Sequence, residues 1–327
     1  MEKKNENRIW VIGGANMDII GSAHHPLKEH DSNIGSVRTY FGGVGRNIAQ
    51  ASSELGENVM FVTCFGGDDY GDLIEKHCRD LGIDTSFSIK SSRYPTSTYI
   101  AILDENRDMH IAMNDMEILE EITKEVLDRA LKNMTGEDIM VIDSNFKPEL
   151  IEYLVNNSPA RIAADPVSAA KVPKLGPVMD RINIFKPNAI ETKELTGIDI
   201  INDKTAKEAA RWFLEKGVEE ILITLGKDGV ICGTRDRISR ITHKTVEMNS
   251  ANGGGDAMFG AYLAKRHRGN SVSEAVEFAI AAAIFKITED KELGHIHDTK
   301  VSREELREKE KAINELIDTL EMKEIEL

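Results

Sequence analysis

Short apolar runs of β type recur along the chain at residues 9–12, 59–63, 139–142, 161–164, 182–185 and 221–224. Stretches of helical period separate most of them, at 45–55, 70–81, 118–132, 148–156, 205–216 and 256–267. A parallel strand pair needs a crossover between its strands, usually a helix, and a strand covered on both faces reads as an unbroken apolar run. The alternation therefore predicts an α/β fold, a central, mostly parallel sheet flanked by helices. Ligands of such sheets bind beyond the carboxyl ends of the strands. The loops after Ile12, Ala164, Phe185 and Thr224 should converge there.

Two excursions break the alternation, at about 16–42 and 87–116. They carry short β-like pieces, 97–103 and 109–113 among them, with polar turns such as Asp104-Glu105-Asn106 and no convincing helix. Two readings stand: a small β lid over the ligand edge, or a pair of surface hairpins. The charged segment 302–327 reads as a solvated terminal helix. No repeat or linker divides the chain, so one domain over 1–327 is expected, with the lid grown out of it.

Composition narrows the function classes. A formal net charge of −15 argues against a surface that gathers nucleic acid or anionic lipid. No apolar run reaches membrane-spanning length, and the polar start at 1–8 lacks the apolar core of a secretion signal. Cys64, Cys78 and Cys232 are unclustered and odd in number, as expected of reduced thiols, so a cytoplasmic protein is expected. His24-His25 and His295-Ile296-His297 lack partners at zinc spacing.

The most chemically suggestive stretch is Ser250-Ala251-Asn252-Gly253-Gly254-Gly255-Asp256. Ala257, Ala261 and Ala264 follow at helical spacing, so the glycines form the turn into a helix and Asp256 lies in its first turn. Free N–H groups at such a start can hold a phosphoryl group in flight, and the helix dipole favours an ionised Asp256 able to accept a proton. A flexible turn with a capping aspartate is the competing reading. Asn188-Ala189-Ile190-Glu191 follows a strand. Its carboxylate can hold hydrated Mg²⁺ beside nucleotide phosphates, or Asn188 and Glu191 can form a helix cap, or both. Thr224, Gly226 and Gly229 lie between two strands, where the glycines admit either nucleotide phosphates or a plain β-turn. Gly13-Gly14 leads to Asp18, and Gly42-Gly43 leads to Asn47. Asp18 and Asn47 supply an acceptor and an amide suited to sugar hydroxyls, against glycines that let substrate lie on the backbone. The chain contains neither a P-loop nor a dinucleotide fingerprint.

In this order the pieces resemble the ribokinase-like, or PfkB, family of carbohydrate and nucleoside kinases, over roughly residues 8–300. That family's pattern is matched by Asp18, by Gly42-Gly43 with Asn47, by Asn188 with Glu191, by Thr224 with Gly226 and Gly229, and by Gly253-Gly254-Gly255-Asp256. Within it, the segments 42–49, 112–116 and 165–171 look most like the pseudouridine kinases. The resemblance implies transfer of the γ-phosphoryl group of ATP to a primary hydroxyl, that of a sugar or of a nucleoside such as pseudouridine. By resemblance, Asp256 is the base and the amides of Gly253 to Gly255 hold the transferring oxygens. Glu191 positions Mg²⁺ through water, and Asn188, Thr224, Gly226, Gly229 and Asn252 contact the nucleotide. Asp18, Gly42, Gly43 and Asn47 hold the sugar, and Asn114 or Asp115 at the end of the second excursion reads the base. A homodimer through the lid is also implied.

Two departures stand out. Gly254 replaces the family's alanine, which removes only a methyl. Ser250-Ala251-Asn252 replaces an Asp-Thr-Thr-like triplet and removes a carboxylate that many relatives use near a monovalent cation, so a K⁺ requirement does not carry over. The alternatives are a ribokinase or another kinase of the family and, from a different class, a nucleoside-binding sensor that has lost catalysis.

Overall fold

The computed structural model describes residues 7–244, 246, 253–288 and 303–326. Its main sheet contains β1 (Ile9–Ile12), β4 (Val59–Val62), β9 (Ile139–Asp143), β10 (Arg161–Asp165), β11 (Ile184–Phe185), β12 (Glu220–Thr224), β13 (Val230–Gly233), β14 (Ile238–Thr242) and β15 (Lys323–Glu326), in spatial order β15-β14-β13-β12-β11-β10-β9-β1-β4. The six strands from β4 to β12 run parallel, and β13, β14 and β15 add antiparallel ones. β1 is buried throughout. Its pleat sends Ile9 and Val11 into one core and Trp10 and Ile12 into the other. The first core lies under α1 (Val44–Ser53), α2 (Asp69–Asp80), α7 (Gly254–His267), α8 (Val272–Thr288) and α9 (Arg303–Thr319). The second lies under α3 (Lys124–Leu131), α4 (Pro148–Asn157) and α6 (Asp203–Glu215). α6 shows why: Ala206, Ala209, Ala210 and Phe213 recur on one face and are buried, and Asn202 closes a capping box with Thr205.

Three sequence expectations shift, and one long helix is not among those expected. The run at 182–185 pairs only at Ile184 and Phe185, because a 3₁₀ segment, Val172–Arg181, delivers Ile182 to the core first. The helix expected over 118–132 is broken into a 3₁₀ turn, Glu117–Glu121, and α3. The segment 302–327 is not a wholly solvated helix. Ile313 and Leu320 are buried, and β15 pairs antiparallel with β14 at the sheet edge. The long α8, with its alanine-rich apolar sequence, carries no clean amphipathic period, because it is buried along much of its circumference.

The order of the strands positions the site. The chain runs from β1 out to β4 on one side and returns to β9 on the other, so β1 and β9 form the switch point at which α/β sheets open a crevice. The two excursions pair with each other in one four-stranded sheet of order β3-β2-β7-β8, built from β2 (Asn16–Ala23), β3 (Gly35–Gly42), β7 (Thr98–Leu103) and β8 (Met109–Asp115). β2 leaves the main sheet three residues after β1, and β3 delivers the chain to α1. The small sheet is thus rooted at the carboxyl edge of the large one. Two short strands, β5 (Cys64–Gly66) and β6 (Ile89–Ser91), form a separate pair. One further helix, α5 (Ala189–Thr196), follows β11.

Candidate active site

Gly253 has φ 77°, in the left-handed region, and turns the chain into α7. The N–H groups of Gly254, Gly255 and Asp256 then stand at the helix start, where the chain has no preceding turn to accept them. Ala257 N–H is already bonded to Gly253 O at 2.9 Å. A methyl at Gly254 would meet Ile287 Cγ2 at 3.0 Å, so glycine suits the packing of α7 on α8. Asn252 lies outside the described residues, as do Ser250 and Ala251.

Asp256 is half-buried, and its Oδ2 accepts an N–H from Asn47 Nδ2 at 2.7 Å. Among the described residues no hydrogen bond engages Oδ1. Burial, reinforced by the neighbouring Asp165 carboxylate, pushes its pKa up to about 7 against the pull of Lys186, Asn47 and Arg46. A carboxylate poised there is suited to taking a proton near neutral pH. Lys186, one residue beyond β11, is the cation of this cluster. Its Nζ stands 3.0 Å from Asp165 Oδ2, both side chains being 7% exposed or less. A Cβ on Gly255 would lie 3.6 Å from that Nζ, so the ammonium sits directly beside the turn into α7. Burial opposes its charge, but Asp165, Asp256 and Glu191 together hold its pKa above the usual lysine value.

Glu191 completes the cluster. The capping box is real: Asn188 N–H donates to Glu191 Oε2 at 2.8 Å, and Glu191 N–H to Asn188 Oδ1 at 2.9 Å. Burial and the Asp165 charge raise its pKa above the ordinary value. Three carboxylates thus share one ammonium. Among the described residues no three carboxylates come together as a metal cage, so a hydrated Mg²⁺, which needs only one or two protein oxygens beside nucleotide phosphates, is the kind of ion that Glu191 could serve. Asn188 bridges to Thr224, whose N–H donates to Pro187 O at 3.0 Å, so the cap and the Thr224-Leu225-Gly226 loop are one surface. Gly229 has a structural duty as well, since a Cβ on it would lie 2.1 Å from Ile241 O.

On the other side of Asp256, Gly43 adopts φ 97°, and a Cβ there would lie 2.5 Å from Gly14 O. A Cβ on Gly42 would stand 2.3 Å from Asp18 Oδ1. These two glycines let β3 and α1 close onto Asp18, whose pKa burial raises to about 6 despite the Asn16 amide and the Arg46 charge. Cross-strand register aligns Asp18, Tyr99 and Asn114 on one face of the small sheet. Asp115 is on the opposite face, and its Oδ1 accepts Glu117 N–H at 3.1 Å as a turn cap. The structure therefore brings Asn114, and not Asp115, onto the side of Asp18.

The chain belongs to the PfkB family. The pfkB family of carbohydrate kinases matches residues 6–292. Over 281 residues the chain is 30% identical to the pseudouridine kinase of Escherichia coli (strain K12), covering 84% of this chain and 89% of that one. Among solved structures, the ribokinase of Thermotoga maritima superposes with a TM-score of 0.78 at 25% identity, covering 93% of this chain and 99% of the other. The ribokinase of Arabidopsis thaliana, solved with ribose and ATP, does so with 0.78 at 19% identity, covering 95% and 98%. The fold is that of the ribokinases, and the family makes this PfkB protein a phosphotransferase with an alcohol acceptor, acting on a sugar or nucleoside.

Several residues near this cluster have no role assigned from the sequence, although Val167 and Lys171 fall in the segment 165–171. Asp143 Oδ2 accepts Gly14 N–H at 2.7 Å across the switch point, and Lys171 Nζ donates to Asn145 Oδ1 at 2.6 Å. Val167 has φ 65° at the centre of a three-residue turn closed by Ser168 N–H on Pro166 O at 2.7 Å. A β-branched residue there is strained, and the strain sits two residues from Asp165. The available signals were the segment 165–171 itself and the charged Asp143, Asp165 and Lys186 at or just beyond the ends of largely apolar strands.

Proposed function

We propose that this kinase transfers the γ-phosphoryl group of ATP to the 5′-hydroxyl of pseudouridine. The observation that carries the phosphotransfer is the Asp256 carboxylate, held through Oδ2 by Asn47, in the first turn of α7 beside Lys186. The substrate hydroxyl gives its proton to Asp256 Oδ1 as its oxygen bonds to the γ-phosphorus. The bond from that phosphorus to the bridging oxygen breaks, and ADP leaves. The amides at the start of α7 and the Lys186 ammonium stabilise charge spreading over the transferring oxygens. Mg²⁺, when bound beside Glu191 through water, would neutralise phosphate charge. Asp18 and the backbone at Gly42 and Gly43 hold the ribose, while Thr224, Gly226 and Asn188 face the nucleotide. The small sheet acts as a lid that excludes water. The three buried, unbridged cysteines agree with a cytoplasmic setting.

Pseudouridine is favoured by the identity to the Escherichia coli enzyme and by the row of Asp18, Tyr99 and Asn114. Its base is joined through carbon and carries a ring N–H that uridine lacks. An acceptor on Asn114 that pairs with it is left unsatisfied by uridine, so kcat/KM should favour pseudouridine clearly. Asn114→Ala should shrink that preference, and equal values for the two nucleosides in the parent protein would refute it. Glu191→Gln retains a carbonyl for the Asn188 N–H but loses the ionic contact to the hydrated metal. The Mg²⁺ concentration for half-maximal rate should rise with the acceptor KM little changed; an unmoved Mg²⁺ titration would leave Glu191 as a cap alone.

The outer face of the lid supports a homodimer. Val37, Ile100, Ile111 and Met113 share the face opposite Asp18 and are 71%, 42%, 59% and 70% exposed. Such a patch on a regular sheet invites a second copy. Light scattering should give twice the chain mass, reverting to the single mass in Met113→Lys; a monomeric parent protein would contradict it.

A further inference from the structure

Arg46, in the first turn of α1, is only 4% exposed and must find acceptors for its donors. It spends them at the junction of lid and body. Nε donates to Gly42 O at 3.0 Å, Nη2 to Phe41 O at 2.8 Å and also to Asn47 Oδ1, and Nη1 to Gln50 Oε1 at 2.7 Å. Phe41 and Gly42 are the last residues of β3, and the Phe41 ring rests on His77 of α2 with centroids 4.5 Å apart. Asn47 passes its own N–H to Asp256 Oδ2. One continuous chain of hydrogen bonds therefore runs from the end of the lid strand to the carboxylate. A buried guanidinium is a costly way to fill space, so stability alone does not account for it.

We propose that Arg46 is a positioning residue that ties the end of the lid strand to Asp256 through Asn47, so that the placement of the lid and the orientation of the base are set together. The inference rests on the phosphotransfer reading of Asp256. The charged groups facing Asp256 are Arg46 from α1, Asp165 from the end of β10 and Lys186 beyond β11. Arg46 itself also faces Asp18, Glu54, Cys78 and His77. Arg46→Lys keeps the charge and loses the planar fork, so Asn47 loses its orienting donor.

The test uses the full-length protein. kcat with pseudouridine is measured in the parent, Arg46→Lys, Asn47→Ala and the double variant, beside a ¹³C NMR titration of the Asp256 carboxyl, assigned by its disappearance in Asp256→Asn. Arg46→Gln, which retains amide donors, replaces Arg46→Lys if the latter does not fold. Each single change should lower kcat by about tenfold or more at little-changed KM for ATP. The double should cost no more than the larger single, and the Asp256 titration should move upward in both singles, because a donor favouring the charged form is lost. Single effects that multiply, with an unmoved Asp256 titration, would overturn the inference. If the parent phosphorylates no acceptor, the phosphotransfer reading fails separately, and the NMR titration alone still decides whether Arg46 acts on Asp256.

Discussion

Asp256→Asn should lower turnover by about 10²-fold or more while ATP binding and the fold persist, because a general base contributes on that order. The substitution is close to isosteric, and the Asn47 contact and the glycine turn remain in place. Stability adds an independent check. The carboxyl has its pKa raised to about 7 from an ordinary 3.8, so the folded state binds its proton more tightly than the unfolded one. The parent protein therefore loses stability as pH rises from about 4 through about 7, and the Asn variant should lack that component. In the parent, kcat should climb with pH through about 7 as Asp256 ionises. An Asn variant that folds and turns over at the parent rate would remove Asp256 from the chemistry.

Lys186→Met should be among the most destabilising single changes in the chain, at about 3–5 kcal/mol, because it leaves the buried Asp165 carboxylate without its cation. The partner variant Asp165→Asn should restore most of that loss when combined with it, since the pair is then replaced by neutral groups. Urea unfolding of the two single variants and the double measures this directly. A Lys186→Met protein with an unchanged midpoint would show that the ion pair contributes nothing. Activity should not return in the double variant, because the ammonium beside the turn into α7 is still absent.

The fold was legible because β1, β4, β9 and β10 are buried on both faces and so read as nearly unbroken apolar runs, with amphipathic helices such as α1 and α4 between them. β11 was overread, since Ile182 is apolar for a different neighbour. β15 was invisible, because Lys323 to Glu326 is an exposed, charged stretch whose strand state comes from pairing with the edge of β14. The glycines of the site were legible for a related reason: positive φ at Gly43 and Gly253 forbids most other residues. Asp18, Glu191 and Asp256 stood out as well, but the other charges of the site did not. Lys186 and Asp143 pair with groups 21 and 129 residues away, and Arg46 reaches Asp256 through Asn47, which lies 209 residues from it, so no local pattern announces these links. For Asn114 and Asp115, adjacency in sequence hid the fact that a strand sends them to opposite faces.

The central claim is tested most directly by mixing the protein with ATP, Mg²⁺ and pseudouridine, uridine, ribose or fructose in turn, and following ADP release and the ³¹P signal of the acceptor product. Acceptor-dependent ADP release is expected, greatest with pseudouridine, together with a new phosphate monoester on its 5′-oxygen. ADP release no greater than the acceptor-free background with every acceptor would contradict it.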